Sequence, residues 1–229
     1  MIWLLILFVC ANAFQALNNI SFRNSCVVSV VIGSKFTSHN KAIIKNKQNY
    51  CRHMGFACYI YSRTLLTERR PLAWQKVHAI DAVLHKKECS RLIWLDADAI
   101  IIHPKNIPHT NRDIALTWDL NGINTGVMII KNTIWSDAFF HRVASTTIYD
   151  YHPWREQAAI THFIQSETET RQHIEFLPLR DYNSYDLNDA PFIYHTAGCS
   201  SSPGGCTSKW KNALRLARKN ALRLAQEKK

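Results

Sequence analysis

Glycine and proline are scarce, at seven each in 229 residues, and acidic side chains number 17 against 28 lysines and arginines. The first scarcity excludes collagen-like and low-complexity chains. Neither the glycine-rich dinucleotide fingerprint nor the longer nucleoside-triphosphate loop occurs, so any nucleotide is held by other means. No pair of cysteines has the two-to-four-residue knuckle spacing, which argues against a Cys₄ or Cys₂His₂ zinc site. No standard nucleic-acid module is visible, so nucleic acid is not expected as a partner. The apolar run from Ile2 to Cys10 is too short to cross a bilayer as a simple helix.

What is present describes one folded unit. An apolar content of 47% fits a globular core, and the length suits a single domain better than two. Residues 1–13 end in Ala11-Asn12-Ala13, a small-x-small site that fits a cleaved signal peptide or a short hydrophobic lead, although no Lys or Arg precedes the apolar run. Its removal would leave six cysteines, an even number suited to an oxidising compartment, and a Cys199–Cys206 bridge would close a small Ser/Pro/Gly loop. Asn19-Ile20-Ser21 is a glycosylation sequon. These features place the chain in the secretory pathway, in the ER or Golgi lumen or outside the cell.

The stretch from Arg91 to Ile101 contains Leu92-Ile-Trp-Leu95, an apolar run that reads as a buried parallel strand, followed by Asp96-Ala97-Asp98. In open α/β sheets ligands sit outside the carboxyl ends of the strands, so two carboxylates there ask for a cation. Oxygen ligands suit Mg²⁺ or Mn²⁺. The same aspartates also suit a helix cap and a solvated turn. Around this stretch the patterning predicts strands at 26–33 and 56–61 and helices at 39–53, capped by Gly55, and 71–86, with Leu72, Val77, Ile80 and Leu84 on one stripe. Further strands are expected at 113–119, 126–130, 173–178 and 191–198, with a turn at Asn121-Gly122 and helices at 134–143 and 154–164. Alternating strands and helices imply a mostly parallel sheet joined by right-handed crossovers, over a domain at 26–208.

Residues 209–229 form a basic tail, with eight Lys or Arg against one Glu, net +7 of the chain's +11. Leu214, Ala217, Ala221 and Leu224 share one helical stripe, so an amphipathic helix is expected there. Docking on the domain, contact with an anionic membrane surface and contact with a nucleic acid backbone all remain open to it. Peripheral membrane contact is also open to the N-terminal segment.

Several ordered motifs resemble glycosyltransferase family 34, which holds fungal α-1,2-galactosyltransferases and plant xyloglucan α-1,6-xylosyltransferases. They are Asn49-Tyr50…His53-Met-Gly55-Phe56, Trp74-x-Lys76, the Asp96-Ala97-Asp98 strand, Asn124-Thr-Gly126 through Asn132 with Trp135, Glu156-Gln157, Arg180-x-x-Asn183-Ser-Tyr185 and His195-Thr-Ala-Gly198-Cys199. Met54 departs from the family's early His-Gly spacing. The resemblance implies an α/β, Rossmann-like GT-A domain followed by the basic helix. It also implies an Mn²⁺-dependent, retaining transfer, with Mg²⁺ a substitute, from a UDP- or GDP-linked nucleotide-sugar donor to a glycan or glycoprotein acceptor.

On that resemblance Asp96, Asp98 and His195 hold the metal, and Tyr50, Lys76, Ala97, Asn124, Gly126 and Gly198 join them around the nucleotide-sugar. Gly126 would let the backbone approach the sugar. Gln157 would sit beneath the anomeric carbon, where its amide dipole stabilises developing positive charge in a same-face reaction. Asp119 and Glu156 would position hydroxyls or acceptor, and with Asp181 they are the candidate bases for an inverting alternative. Trp135, Trp154 and Tyr185 are candidate stacking surfaces for the acceptor, and Arg180 and Asn183 would contact donor or acceptor. Two other readings of these residues stand: a sugar- or nucleotide-binding protein without turnover, and a metal-dependent phosphohydrolase with Asp96 as nucleophile.

Overall fold

The computed structural model describes residues 25–32, 40–65, 70–198 and 206–227. The expected leader, the sequon, the turn after the first strand and Cys199 with most of its loop lie outside the described residues.

The elements run β1 (Cys26–Val30), α1 (Asn40–Met54), β2 (Ala57–Tyr61), α2 (Gln75–Lys86), β3 (Arg91–Leu95), β4 (Ala99–Ile101), β5 (Ile114–Asp119), β6 (Gly122–Lys131), α3 (Ile134–Ser145), α4 (Arg155–Ser166), α5 (Thr168–Gln172), β7 (Ile174–Leu177), α6 (Leu179–Tyr182), β8 (Ile193–His195) and α7 (Thr207–Glu227). A six-stranded sheet has the order β2-β1-β3-β6-β5-β7, and β4 pairs with β8 in a separate two-stranded sheet. Only β6 runs against the other five in the large sheet. The sheet is therefore mostly parallel, as expected.

Side chains alternate across β3, and the two faces of the sheet carry separate cores. Leu92 and Trp94 face α2 and α3 together with Val28, Met128 and Ile130, whereas Ile93 and Leu95 join Val27, Val127 and Ile129 against α1 and Phe192. Gly55, at φ +71°, ends α1 as expected. Cys26–Cys89 ties β1 to the approach of β3, and Cys51–Cys58 ties α1 to β2. Cys206 is also disulfide-bonded.

Three expectations change. Leu72 is exposed, because it lies in a single 3₁₀ turn before α2 and not on the helix's buried stripe. β6 begins at Gly122 rather than 126, since Asn124 and Thr125, polar residues within a strand, are buried with hydrogen-bonding partners. The basic tail is a helix, but its buried stripe is Trp210, Ala213 and Ala217, and Ala221 is exposed. That stripe packs on Ile43 of α1, Ile100 of β4 and Tyr194 of β8. No helix among the described residues is long and apolar enough to cross a membrane.

Trp210 is 3% exposed and its indole N–H donates to Thr196 Oγ1 at 2.7 Å. Trp210→Ala is expected to lower the unfolding free energy by about 3–5 kcal/mol in urea titration, as for other buried aromatics cut to alanine. A loss under about 1 kcal/mol, within the range of ordinary surface substitutions, would mean that α7 adds little to the fold.

Candidate metal centre

The backbone brings three ligand atoms together. β3 ends at Leu95, and the Asp96 N–H donates to the Gly126 carbonyl of β6 at 2.8 Å. The chain then turns, with the Ala99 N–H donating to Asp96 O at 3.0 Å, and enters β4. In the antiparallel β4–β8 ladder Ala99 sits opposite His195, which delivers the imidazole beside Asp98. One atom from each of Asp96, Asp98 and His195 lies within 4.8 Å of the others, and His195 Nε2 is 3.2 Å from Asp98 Oδ1. Two carboxylate oxygens and one imidazole nitrogen suit a divalent cation of the Mn²⁺ or Mg²⁺ kind.

The tautomer of His195 follows from its neighbours. The Gly126 N–H can only donate, and it donates to Asn124 Oδ1 at 2.8 Å, which fixes that amide. Asn183 Nδ2 then donates to the same oxygen at 2.9 Å and to Thr117 Oγ1 at 2.8 Å. The remaining Asn183 Oδ1 accepts from His195 Nδ1 at 2.8 Å, leaving Nε2 to face Asp98. Asn183 is fully buried, so it orients the imidazole and does not contact donor or acceptor. Gly126 also has a reason to be glycine beyond the expected one. A Cβ there would lie 2.1 Å from His195 Cε1, so glycine makes room for the imidazole ring.

Cations and donors back the two acids. Lys76, on α2, lies 3.0 Å from Asp96 Oδ1, 2.8 Å from Glu156 Oε1 and 3.1 Å from Thr125 Oγ1. Burial opposes its charge, but Asp96 and Glu156 outweigh burial and hold its pKa above the ordinary value. The Trp94 indole N–H donates to Asp96 Oδ1 at 2.7 Å. Lys47, on α1, is fully buried and donates to the carbonyls of Asp96 at 2.7 Å and Ala97 at 3.3 Å. Burial pulls its pKa down to about 7 against the raising effect of Asp98 and Asp96. Asp98 is held low: burial raises it, but His195 more than compensates.

A cavity of about 450 Å³ opens beside the acids. Asp119, Asn124, Gly126, Gln157 and Gly198 line it, as do Trp154 and Tyr185. Tyr50, Lys76, Ala97 and Glu156 do not line it. Tyr50 is buried between Phe56 and Phe192 with its hydroxyl on Lys105 O, and Ala97 offers its carbonyl to Lys47. Lys76 stands behind Asp96, and Glu156, 5% exposed, is pushed up in pKa by burial while it shares Lys76 with Asp96. Trp135 stacks on Phe139 and His173 and is no acceptor surface. Asp119 is already engaged. Its Oδ2 accepts from Tyr185 at 2.5 Å and Asn124 at 2.9 Å, and its Oδ1 from the Asn121 N–H at 2.6 Å. Gln157 Oε1 accepts from the Thr125 N–H and hydroxyl, so its amide NH₂ is the part left for the cavity.

Lys47 and the Trp94 indole were not anticipated as parts of the site. The signal for Lys47 was its place on the stripe Ile43, Lys47, Tyr50, where an apolar side chain would be expected.

Gly126→Ala is expected to displace His195 and weaken Mn²⁺ binding at least about tenfold in a metal titration, the lower end for loss of a ligand's support. A pH dependence follows from His195, whose pKa is raised because Asp98 outweighs the cost of burial. A group with a raised folded pKa stabilises fully below its unfolded value, about 6.5, and loses that contribution as pH rises through the folded value. Lys47, lowered to about 7, acts oppositely above that pH, so the readout is the difference between wild type and His195→Gln. In metal-free protein that difference in melting temperature should shrink as pH is raised from 6.5.

Comparisons with known proteins agree with this geometry. The chain matches the profile of the galactosyl transferase GMA12/MNN10 family over residues 23–107 and 103–206. An uncharacterised α-1,2-galactosyltransferase of Schizosaccharomyces pombe is 24% identical over 220 residues, which cover 72% of this chain and 58% of that protein. A probable α-1,6-mannosyltransferase of Saccharomyces cerevisiae is 24% identical over 216 residues, 69% of this chain and 54% of that one. The chain thus spans little more than half the length of these relatives. Among solved structures, a glycosyltransferase involved in glycosylation of the major capsid of PBCV-1 superposes with a TM-score of 0.61 at 16% identity, over 77% of this chain and 96% of that one. The glycosyltransferase GlyE of Streptococcus pneumoniae gives 0.56 at 12% identity, over 86% and 63%. These likenesses show the GT-A fold, and the profile match over most of its length shows that the chain belongs to the galactosyl transferase GMA12/MNN10 family.

Proposed function

We propose that this chain is a metal-dependent retaining glycosyltransferase that moves a hexose or pentose from a UDP- or GDP-linked donor to a hydroxyl of a glycan or glycoprotein. The observation that carries the reading is the Asp96, Asp98, His195 cluster at the wall of a polar cavity, in a chain of this family. A divalent cation, Mn²⁺ or Mg²⁺, held there supplies positive charge against the negative charge growing on a departing diphosphate. Asp96 keeps ligand capacity although Lys76 and Trp94 bond to it, because a carboxylate offers about four lone-pair sites.

The chain's own residues do the rest. Asn183 holds the His195 ring, and Lys76 offsets the charge of Asp96. Gln157, with its carbonyl occupied, donates from its NH₂ to the donor sugar or to the leaving phosphate, a change from the dipole role that the motif suggested. Retention by a same-face route is supported by the carboxylates available. Apart from the metal pair, Asp119 is the one carboxylate among the described residues that lines the cavity, and three of its roughly four lone-pair sites accept hydrogen bonds, which makes it a poor nucleophile or base. Trp154 and Tyr185, both partly exposed at the cavity, serve as stacking surfaces for the acceptor. The Cys26–Cys89 and Cys51–Cys58 disulfides, with the disulfide-bonded Cys206, support an oxidising compartment of the secretory pathway.

A screen of nucleotide-sugars with Mn²⁺ should find one donor whose nucleoside diphosphate is released and whose sugar appears on an acceptor with its anomeric configuration kept. Asp98→Asn and Asp96→Asn should abolish transfer and weaken Mn²⁺ binding. Tight nucleotide binding without release from any common donor would point instead to a binding protein.

A further inference from the structure

We propose that Lys47 is a positioning residue for the metal-ligand turn, pinning the carbonyls of Asp96 and Ala97 so that the two acids are held in ligating geometry before a cation arrives. This inference rests on reading Asp96, Asp98 and His195 as the cation site. A fully buried lysine ordinarily has a carboxylate partner, because an ammonium removed from water loses several kcal/mol or more of solvation. Lys47 has no side-chain partner among the described residues. Its hydrogen bonds go to two successive backbone oxygens at 2.7 and 3.3 Å.

At Asp96 the turn is closed without Lys47. Asp96 O already accepts from the Ala99 N–H, the bond that closes the turn. The neighbours of Lys47 on the same stripe, Ile43 and Tyr50, are buried and largely apolar, so a methionine would fit the site and remove the cost of burying charge. What the ammonium adds is local to Asp96–Asp98. It fixes the orientation of two consecutive peptide groups from behind the two carboxylates. Lys76 has a different task, because it bonds to the Asp96 side chain and leaves the turn's backbone free.

The two possible roles predict opposite results. For a positioning lysine, Lys47→Met leaves the metal-free protein as stable as wild type or more so, while Mn²⁺ affinity falls about 10- to 100-fold, the usual effect of losing a group that supports metal ligands. A lysine needed only for folding would give lower stability and unchanged affinity. The experiment is an Mn²⁺ titration followed by the paramagnetic signal of the free ion, paired with urea unfolding of the metal-free protein. It uses wild type, Lys47→Met and Lys47→Gln, which keeps a neutral donor of shorter reach. Affinity within twofold of wild type in either variant that folds overturns the proposal. Wild type that binds Mn²⁺ normally while the variants do too defeats this inference alone, whereas wild type that binds no Mn²⁺ defeats the cation site beneath it.

Discussion

Two carboxylates two positions apart along one tight turn repel each other, and much of the surrounding structure answers that repulsion. At 4 Å the unfavourable energy is about 4 kcal/mol in surroundings of intermediate polarity. Around Asp96 and Asp98 the fold sets two buried lysines from different helices, an indole N–H and a histidine. Each comes from a separate element, so the acids can lie close together only when α1, α2, β3 and β8 are all in place. The charge arrangement and the tertiary structure therefore depend on each other.

The reversed strand β6 is the second organising feature. By running against its neighbours it carries Asn124, Thr125 and Gly126 past the end of β3, and each of them serves the site through hydrogen bonds or through empty space. A chain of amides from Gly126 through Asn124 and Asn183 reaches the imidazole and fixes which nitrogen carries the proton. Asp119 and Tyr185 join the same network at Asn124. The cavity wall is thus one connected polar sheet of bonds, and its stiffness comes from the fact that each amide has a single allowed orientation.

Much of this was legible in the sequence. The apolar run to Leu95, the acidic pair after it and the alternation of strands and helices are strong patterns, because burial on both faces demands continuous hydrophobicity and a ligand crevice demands charge at the strand's end. Other parts were hidden for physical reasons. The early start of β6 was masked by asparagine and threonine, whose side chains find buried partners far away in sequence. Glu156 read as a residue that positions hydroxyls or the acceptor, but it is buried against Lys76, which arrives from another helix. Gly126 carried a signal with a second cause that was hidden, because only the folded chain shows that an imidazole from residue 195 fills the space a side chain would take. In α7 the stripe was displaced by the single large residue, Trp210, which fixes the helix's rotation more firmly than a row of alanines does.

The link from α7 to the acids runs through few atoms: the Trp210 indole donates to Thr196, and Thr196 donates to the Asp98 carbonyl. Synthesis proceeds from the N-terminus, at about 5–20 residues per second, and domains generally fold as units. The strand carrying the imidazole therefore leaves the ribosome before the helix that braces it. The sheet and its early disulfides are available first, whereas the finished arrangement of ligands must wait for α7 to emerge. Readiness for a cation is in this sense a joint property of the sheet and α7.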